Sequence, residues 1–342
     1  MSKKKLNVAI IGCGSISKRH IAGVLAKEEC NLYALCDNRD DDRLVQFQAE
    51  YGGEVLTKDY RELVNDPNVD MAIVATSDTS HREITEAFLR GGKHVLLEKP
   101  MALHVEECVA MCKAEKESGK RLMVGQVARY NSITIKAKEL VESGRIGDLV
   151  YVESEYAHCY ATARGHQDWR VNPEREGVIG GGCHAIDLLR WIAGDPVEVH
   201  AFSNHKILTD WPVNDSTIAI YKFPNDVLGK VFCSIGAKRK HVMRTSFFGT
   251  KGTLSYASDA DEILLYESDE NGGGYKEGKL IPIQKSESHN MVAEISDFVD
   301  AILNDTPTPI SSLEGLHTVT VCRATVEAAN SGETVKIVYP EV

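Results

Sequence analysis

No stretch of this sequence approaches the ~20 consecutive apolar residues that a membrane-spanning helix needs, and no such span is expected. After Lys3, Lys4 and Lys5 the apolar run LNVAII stops at Gly12, too short for the apolar centre of a signal peptide. Basic residues are in deficit: 39 lysines and arginines stand against 50 aspartates and glutamates, a formal charge of -11. A nucleic-acid or anionic-membrane partner wants a basic face, so neither is expected. Paired cysteine motifs are missing too. The nine cysteines are odd in number and show no C-x-x-C spacing, and Cys108 and Cys112 fall one turn apart on an expected helix, a poor disulfide arrangement. Reduced thiols and a cytoplasmic location follow as expectations. Cys159, Cys183, His158 and His184 never form spaced ligand pairs, so no metal is expected. There is no internal repeat.

What the sequence does have is length and alternation. Its 342 residues, 43% of them hydrophobic, exceed what one core usually organises, so two domains are expected. The runs LNVAIIG, LYALCD, MAIVAT, HVLLEK and RLMVG read as strands apolar on both faces. Between them lie helical patterns such as SHREITEAFLRGG and VEECVAMCKAEKESG. Strands of that kind separated by helices predict a doubly wound parallel sheet. Past residue 125 the texture changes. LVYVESEYAHCY, STIAIYKF, GKVFCSI, TSFFGTKGTLSY and EILLYES are longer, often alternating strands joined by turn signals such as PND and NGGG. They predict a largely antiparallel sheet with one exposed face. Two late helices, NMVAEISDFVDAILND and LEGLHTVTVCRATVEAANSG, and a strand TVKIVY close the chain. The expected class is α/β followed by α+β, with domains over 1–125 and 126–342.

NVAIIGCGSISKRH is a strand, a glycine turn and a helix start. Gly12 allows the tight turn, and Gly14 lets a pyrophosphate approach the amides of the helix N-terminus. The third fingerprint position holds Ser17 in place of glycine. Asp37 ends the second strand, 23 residues beyond Gly14, where a carboxylate accepts hydrogen bonds from a ribose diol. A 2′-phosphate there meets a like charge, which favours NAD over NADP, although Arg39 stands two residues on. KHVLLEKPM places Glu98 and Lys99 directly after an apolar strand, with Pro100 stopping it. Ligands collect at the carboxyl ends of such strands, and a lysine there can donate to a substrate oxygen or relay its proton.

EGVIGGGCHAIDLLRW, residues 176–191, stacks three glycines before an amphipathic helix. Each glycine weakens a helix by roughly 1 kcal/mol relative to alanine, so Gly180, Gly181 and Gly182 need a reason. They leave a bare stretch of backbone just before His184. Close packing of that helix is one such reason. Ile186, Leu189 and Trp191 are expected to face the core. EYAHCYATARGHQDWR joins aromatic rings to polar tips, a mixture suited to a sugar, whose CH faces stack while its hydroxyls need partners. Tyr156, His158, His166, Trp169 and Arg170 are pocket candidates, and Arg164 and Arg170 suit an acidic sugar.

GCGSIS, ATSDTSHREITEAFLRGGKHVLLEKPM, GGGCHAIDLLRW and the tail from GTKGTL to SDFVDAILN together resemble the Gfo/Idh/MocA oxidoreductase family over essentially the whole chain. The resemblance implies an N-terminal Rossmann domain and a C-terminal domain with a large open, mainly antiparallel sheet. It also implies NAD(P)-dependent oxidation or reduction of sugars, cyclitols or related compounds, and a homodimer or homotetramer formed through the open sheet. Residue by residue, Gly12, Gly14, Ser15 and Ile16 match the family's pyrophosphate loop and Asp37 its ribose contact. Ala75, Thr76, Ser77 and His81 match the segment under the nicotinamide ribose, and Gln126 a position that often faces the nicotinamide. Glu98 and Lys99 match its Glu-Lys-Pro pair, with Lys99 catalytic and the Lys99–Pro100 bond expected cis. His184 matches the second catalytic residue, and the resemblance implies that Gly180–Gly182 form a bare backbone ledge against which cofactor and sugar ring lie, with His184 projecting one turn into the helix. The family commonly carries an aspartate four residues before that histidine, where this chain has Gly180. Asp187 is then a candidate to fix the imidazole tautomer. The reading expected is an NAD-dependent sugar or polyol dehydrogenase or reductase. An NAD-dependent glycosidase working by transient C3 oxidation and a non-catalytic nucleotide-binding regulator remain as alternatives.

Overall fold

Short runs apolar on both faces become the strands of the first sheet. β1 (Leu6–Ile11), β2 (Cys30–Cys36), β3 (Val55–Thr57), β4 (Met71–Val74), β5 (His94–Glu98) and β6 (Leu122–Gly125) take the order β3-β2-β1-β4-β5-β6. Every adjacent pair is parallel. The computed structural model describes residues 5–39, 41–161, 168–284 and 289–342. Val8, Ala9, Ile10, Ile73, Leu96 and Leu97 are fully buried, as sheets covered by helices on both faces require. The helices between these strands are α1 (Ser17–Ala26), α2 (Arg43–Tyr51), α3 (Tyr60–Asn65), α4 (His81–Arg90) and α5 (Val105–Ser118). α4 buries Ile84 and Phe88 at one-turn spacing and stops before Gly91 and Gly92. α5 opens on a capping box between His104 and Glu107 and ends at the left-handed Gly119, which satisfies its terminal amides and carbonyls. β3, only three residues long at the sheet edge, was not read from the sequence.

The chain divides into two compact units, and neither is a single segment. Unit 1 holds residues 1–127, 290–316 and 340–342; unit 2 holds 128–289 and 317–339. This differs from the expected single boundary near residue 125. α9 (Met291–Leu303) packs on α1 within unit 1, where a Cβ on Gly23 would lie 2.6 Å from the Ile295 side chain and 3.0 Å from the Met291 carbonyl. Lys27, which caps the end of α1, bonds Ser296 and Asp300 of α9 at 3.0 and 2.8 Å. A composition shift marks where a new kind of sheet starts, but it cannot show a helix returning to an earlier core.

In unit 2, β7 (Leu149–Ala157), β8 (Glu198–Asn204), β9 (Ser216–Lys222), β10 (Leu228–Ser234), β11 (Val242–Gly249), β12 (Gly252–Ala257), β13 (Glu262–Glu267), β14 (Lys279–Pro282) and β15 (Val335–Lys336) form one sheet. Their order is β14-β13-β12-β11-β7-β10-β9-β8-β15. β7 and β10 pair in parallel and all other neighbours antiparallel, so the mainly antiparallel expectation holds. TSFFGTKGTLSY is two strands, not one: Gly249 and Gly252 pair across a Thr250–Lys251 turn. Alternation is plain in β9, where Thr217, Ala219 and Tyr221 are buried and Ile218, Ile220 and Lys222 exposed. On the inner face, α8 (Cys183–Ala193) lies against β7, and Tyr221 bonds Thr325 of α10 (Ser312–Ser331) at 2.8 Å. α6 (Ser132–Glu142) and α7 (Gly177–Gly180) complete the helices. Among the described residues no helix is long and apolar enough to cross a membrane, and all nine cysteines are free thiols.

One basic group is built into unit 1 in its neutral form. At the start of β5, Nδ1 of His94 accepts the backbone N–H of Arg121 at 3.1 Å. Burial first, then the charges of Lys120 and Arg121, pull its pKa from 6.5 to about 4. The unfolded chain therefore binds this proton between pH 6.5 and 4 while the folded chain does not, and stability falls as pH drops through that window. In His94→Gln the fall attributable to this site disappears. Urea midpoints at pH 7 and pH 5 check it; an unchanged acid loss in the variant refutes it.

Candidate active site

The glycine turn of unit 1 is built for close approach. Gly12 has φ +93°, and a Cβ there would lie 2.7 Å from the Ala75 carbonyl oxygen, inside contact distance. Only glycine accepts both the angle and the neighbour. At Gly14 the outward side is open, with nothing within 4 Å of where a Cβ would be. Ser17 fills the third fingerprint position fully buried and donates to the Gly14 carbonyl at 2.6 Å. It thereby braces the turn that Ser15, exposed, and Ile16, half-buried, carry into α1.

Asp37 follows β2 directly. Its Oδ2 accepts the Cys13 N–H at 2.8 Å, and its Oδ1 accepts Arg39 N at 3.1 Å and Nε at 2.7 Å. The Arg39 guanidinium also pairs with Oδ2. Burial pushes this carboxyl upward, but the bonds from Arg39 and Cys13 outweigh it and hold the group below its ordinary value. It is therefore an ionised acceptor beside the turn. Arg39 is drawn onto Asp37 and the Cys13 carbonyl. An open approach at Gly14 and a carboxylate 23 residues later fit the pyrophosphate and ribose diol of a dinucleotide.

The carboxyl ends of β4 and β5 carry the next candidates. Ala75 is buried; Thr76 and Ser77 are half-buried and tied by Ser80, whose Oγ donates to the Ser77 carbonyl at 2.8 Å and to Thr76 Oγ1 at 3.0 Å. His81 is 1% exposed and its Nδ1 donates to the carbonyls of Pro100 and Met101 at 3.0 and 3.3 Å. Its ring thus fixes the backbone that follows Lys99. The Lys99–Pro100 bond is cis. Lys99 is half-buried. Glu98 beside it is buried; its Oε2 accepts the Lys99 N–H at 3.1 Å and its Oε1 meets His20 Nε2 at 2.8 Å. Burial raises the Glu98 pKa, and the bonds and charges of His20 and Lys99 more than reverse that. Gln126, one residue past β6, is 1% exposed with no hydrogen-bond partner for its Oε1 among the described residues.

In unit 2 the three glycines have an answer different from a ligand ledge: the protein's own side chains and backbone cover them. A Cβ on Gly180 would meet the Arg175 guanidinium at 2.2 Å, one on Gly181 the Tyr156 ring at 2.4 Å, and one on Gly182 the Val178 backbone at 2.9 Å. Arg175 is 4% exposed and stacks on Trp169 at 4.8 Å. A guanidinium therefore fills the space beside the position where the resembled family often has an aspartate. Gly182→Ala, pressed against backbone, should lose about 1–3 kcal/mol of stability. Gly180→Ala should lose less, because the tip of Arg175 can move and alanine regains up to ~1 kcal/mol of helix propensity. Thermal melts rank the two; the reverse order contradicts this packing account.

His184, in the first turn of α8, is 5% exposed and stacks on Tyr156 with ring centroids 6.0 Å apart. Tyr156 also touches His158 and His241, at 6.4 and 5.0 Å, and His241 lies 6.3 Å from His289. The hydroxyls of Tyr156 and Tyr160 are bonded at 3.0 Å. Burial, then Tyr160, holds the Tyr156 phenol well above its ordinary range, so it is a neutral donor. Tyr156, His158 and His184 are thus brought together, while Trp169 and Arg170 form a separate stack with Arg175. His166 and Arg164 lie outside the described residues. Asp187 gives its carboxylate to Arg129 at 2.8 and 2.7 Å and to Thr318 at 3.0 Å, a buried structural pair in place of the expected support for His184. Ile186 and Leu189 are buried as expected, whereas Trp191 is half-buried under Arg129 and Lys138. No group of three or more His, Cys, Asp or Glu able to hold a metal occurs among the described residues.

Sequence reading missed His20, Arg175, His241, His289 and Glu294. His241 and His289 reach the cluster from loops far along the chain and leave no local signal. His20 and Glu294 leave one: each is a polar residue on the buried stripe of a helix.

Residues 6–126 match the model of an oxidoreductase family with an NAD-binding Rossmann fold, and residues 134–255 match the GFO/IDH/MocA C-terminal domain. A myo-inositol 2-dehydrogenase of Thermotoga maritima is 26% identical over 97% of this chain and 98% of its own. A levoglucosan dehydrogenase of Pseudarthrobacter phenanthrenivorans is 23% identical over 95% and 96%. The solved structure of a levoglucosan dehydrogenase in complex with NADH superposes with a TM-score of 0.90 at 22% identity, over 99% of this chain and all of that one, a likeness of fold.

Proposed function

The chain belongs to the Gfo/Idh/MocA oxidoreductase family, and from that premise we propose that it is an NAD-dependent dehydrogenase or reductase acting on a secondary alcohol of a sugar, sugar derivative or cyclitol. The observation that carries the proposal is Lys99, set at the carboxyl end of β5. His81 holds the backbone after it, and Glu98 accepts its own N–H. A lysine whose backbone is held at that edge of a doubly wound sheet sits where ligands collect. The relatives' names, which include a myo-inositol and a levoglucosan dehydrogenase, support a polyhydroxylated substrate.

Gly12, Gly14, Ser15 and Ile16 would hold the pyrophosphate and Asp37 the adenosine ribose, with Ala75, Thr76, Ser77 and Gln126 toward the nicotinamide end. When bound, the nicotinamide supplies the hydride acceptor or donor. In the oxidative direction His184 takes the proton of the substrate hydroxyl, as general base. Lys99 stabilises the oxygen as negative charge grows on it and relays a proton. The neutral phenol of Tyr156, stacked on His184, holds the imidazole in place and donates to a substrate oxygen, with His158 beside it. In the reductive direction His184 returns the proton.

A panel of sugars, sugar acids and cyclitols assayed for NADH formation tests this. Release of free sugar from glycosides with no net NADH would replace the reading with a glycosidase. Tight NAD binding without turnover on any of them would replace it with a regulator. The free thiols support a cytoplasmic setting. The exposed sheet face, with Phe202 at 65%, Ile220 at 57% and Leu228 at 55%, supports a homodimer or homotetramer closed over that face. Sedimentation as a monomer at assay concentration would end that part.

A further inference from the structure

Glu294 is a carboxyl group in the apolar interior of unit 1. It lies on the buried stripe of α9 with Met291, Ile295 and Phe298, is 0% exposed, and neither of its oxygens has a hydrogen-bond partner among the described residues. An unsatisfied buried polar group is destabilising, more so when charged, and such a group in a native interior asks for a reason. Its surroundings supply one. Its Oε1 lies 3.7 Å from where a Cβ on Gly125 would be, at the carboxyl end of β6. Gly125 is paired in register with Glu98 at the carboxyl end of β5. His20 of α1 bonds Glu98, and Gln126, with its own unpartnered buried oxygen, comes next in the chain. The cluster therefore stands under the strand ends where the proposed dinucleotide presents its nicotinamide.

We propose that Glu294 is a proton-linked sensor of cofactor charge: a neutral acid in the free protein and with NADH, it releases its proton when the cationic NAD+ binds. The inference rests on the dinucleotide reading above. Burial, then the negative charge of Glu98, holds this carboxyl well above its ordinary range. The charged groups in play are few. Glu98 acts on Glu294 directly; His20 and Lys99 act on Glu98. Lys27, at the cap of α1, is paired with Asp300 further along α9, and Glu115 of α5 is bonded to the Leu122 amide and Ser312. A second carboxylate beside Glu98 is unfavourable in a poorly solvated interior, but a nearby positive ring offsets it. The O–H bond of Glu294 then breaks with its electron pair left on the carboxylate, and the proton passes to solvent. By linkage, NAD+ affinity rises with pH and NADH affinity does not.

The test is titration calorimetry of NAD+ and of NADH in buffers of different ionisation enthalpy, on the full chain and on Glu294→Gln. In the unaltered protein up to about one proton leaves per NAD+ bound, none leaves with NADH, and the NAD+ dissociation constant falls by up to about tenfold per pH unit. In Glu294→Gln, which keeps the shape and removes the titrating proton, release and slope are both lost. Infrared difference spectra of the unaltered protein give an independent reading: the C=O band of a protonated carboxyl disappears on NAD+ binding and persists with NADH. Binding of NAD+ without proton release, or release that survives in Glu294→Gln, overturns the inference and leaves the dinucleotide reading standing. Absence of binding by either nucleotide overturns both.

Discussion

Lys99→Ala lowers turnover by roughly 10²–10⁴-fold while the dissociation constant for NAD stays within a few-fold. The size follows from its proposed task. An ammonium that meets a developing negative oxygen stabilises the transition state more than the ground state, so its loss falls on the chemical step. The cofactor cradle is untouched, because Gly12, Gly14 and Asp37 follow the ends of β1 and β2 and their bonds do not involve this side chain. His184→Ala should fall by a similar factor. If the two groups serve one proton-coupled step, the double variant loses little more than the worse single variant, since residues acting as a unit are strongly non-additive. Steady-state kinetics with a responsive sugar and a fluorescence titration of NAD measure all three. Near-normal turnover in either single variant removes the proposed chemistry.

Gly12→Ala damages the cradle itself. A side chain at φ +93° carries a left-handed strain of about 1–2 kcal/mol. Its Cβ would press on the Ala75 carbonyl at 2.7 Å, an overpacking against backbone of about 1–3 kcal/mol. The expected result is a melting temperature lower by several degrees. NAD binding should weaken at least about tenfold, the equivalent of 1.4 kcal/mol, because relief of the clash moves β1 away from β4. Gly14→Ala is the internal contrast. Its Cβ meets nothing in the free protein, so stability holds while the approach of the pyrophosphate is hindered. Equal melting temperatures for the unaltered protein and Gly12→Ala would show that the turn relaxes freely.

The residues that were legible in the sequence are those whose signal is local. A strand followed by Gly12, Gly14 and a helix, with Asp37 expected to end the next strand, is contained within 37 residues, and the strands, the turn and the helix lie where they were expected. Lys99 was readable because an apolar run and a proline frame it. His81 was legible only as part of a segment. That its ring turns inward onto Pro100 and Met101 depends on a contact across 19 residues, which no window of sequence contains. The three glycines misled for the same reason: their bare backbones invite a ligand on paper, but Arg175, Tyr156 and Val178 occupy that space. Asp187 was one helical turn from His184 and went to Arg129 across 58 residues. Glu294 shows the opposite failure, a readable signal left unread. An acid within an apolar helical stripe violates the binary pattern, and such violations mark strained or functional positions.

The return of α9 to α1 also sets the order in which this protein can mature on the ribosome. Residues 1–127 emerge first, yet the helix that covers Gly23 begins at residue 291. At synthesis rates of ~5–20 residues per second the nascent nucleotide domain waits about ten to thirty seconds with that groove uncovered. A fragment ending at residue 127 would lack that cover altogether.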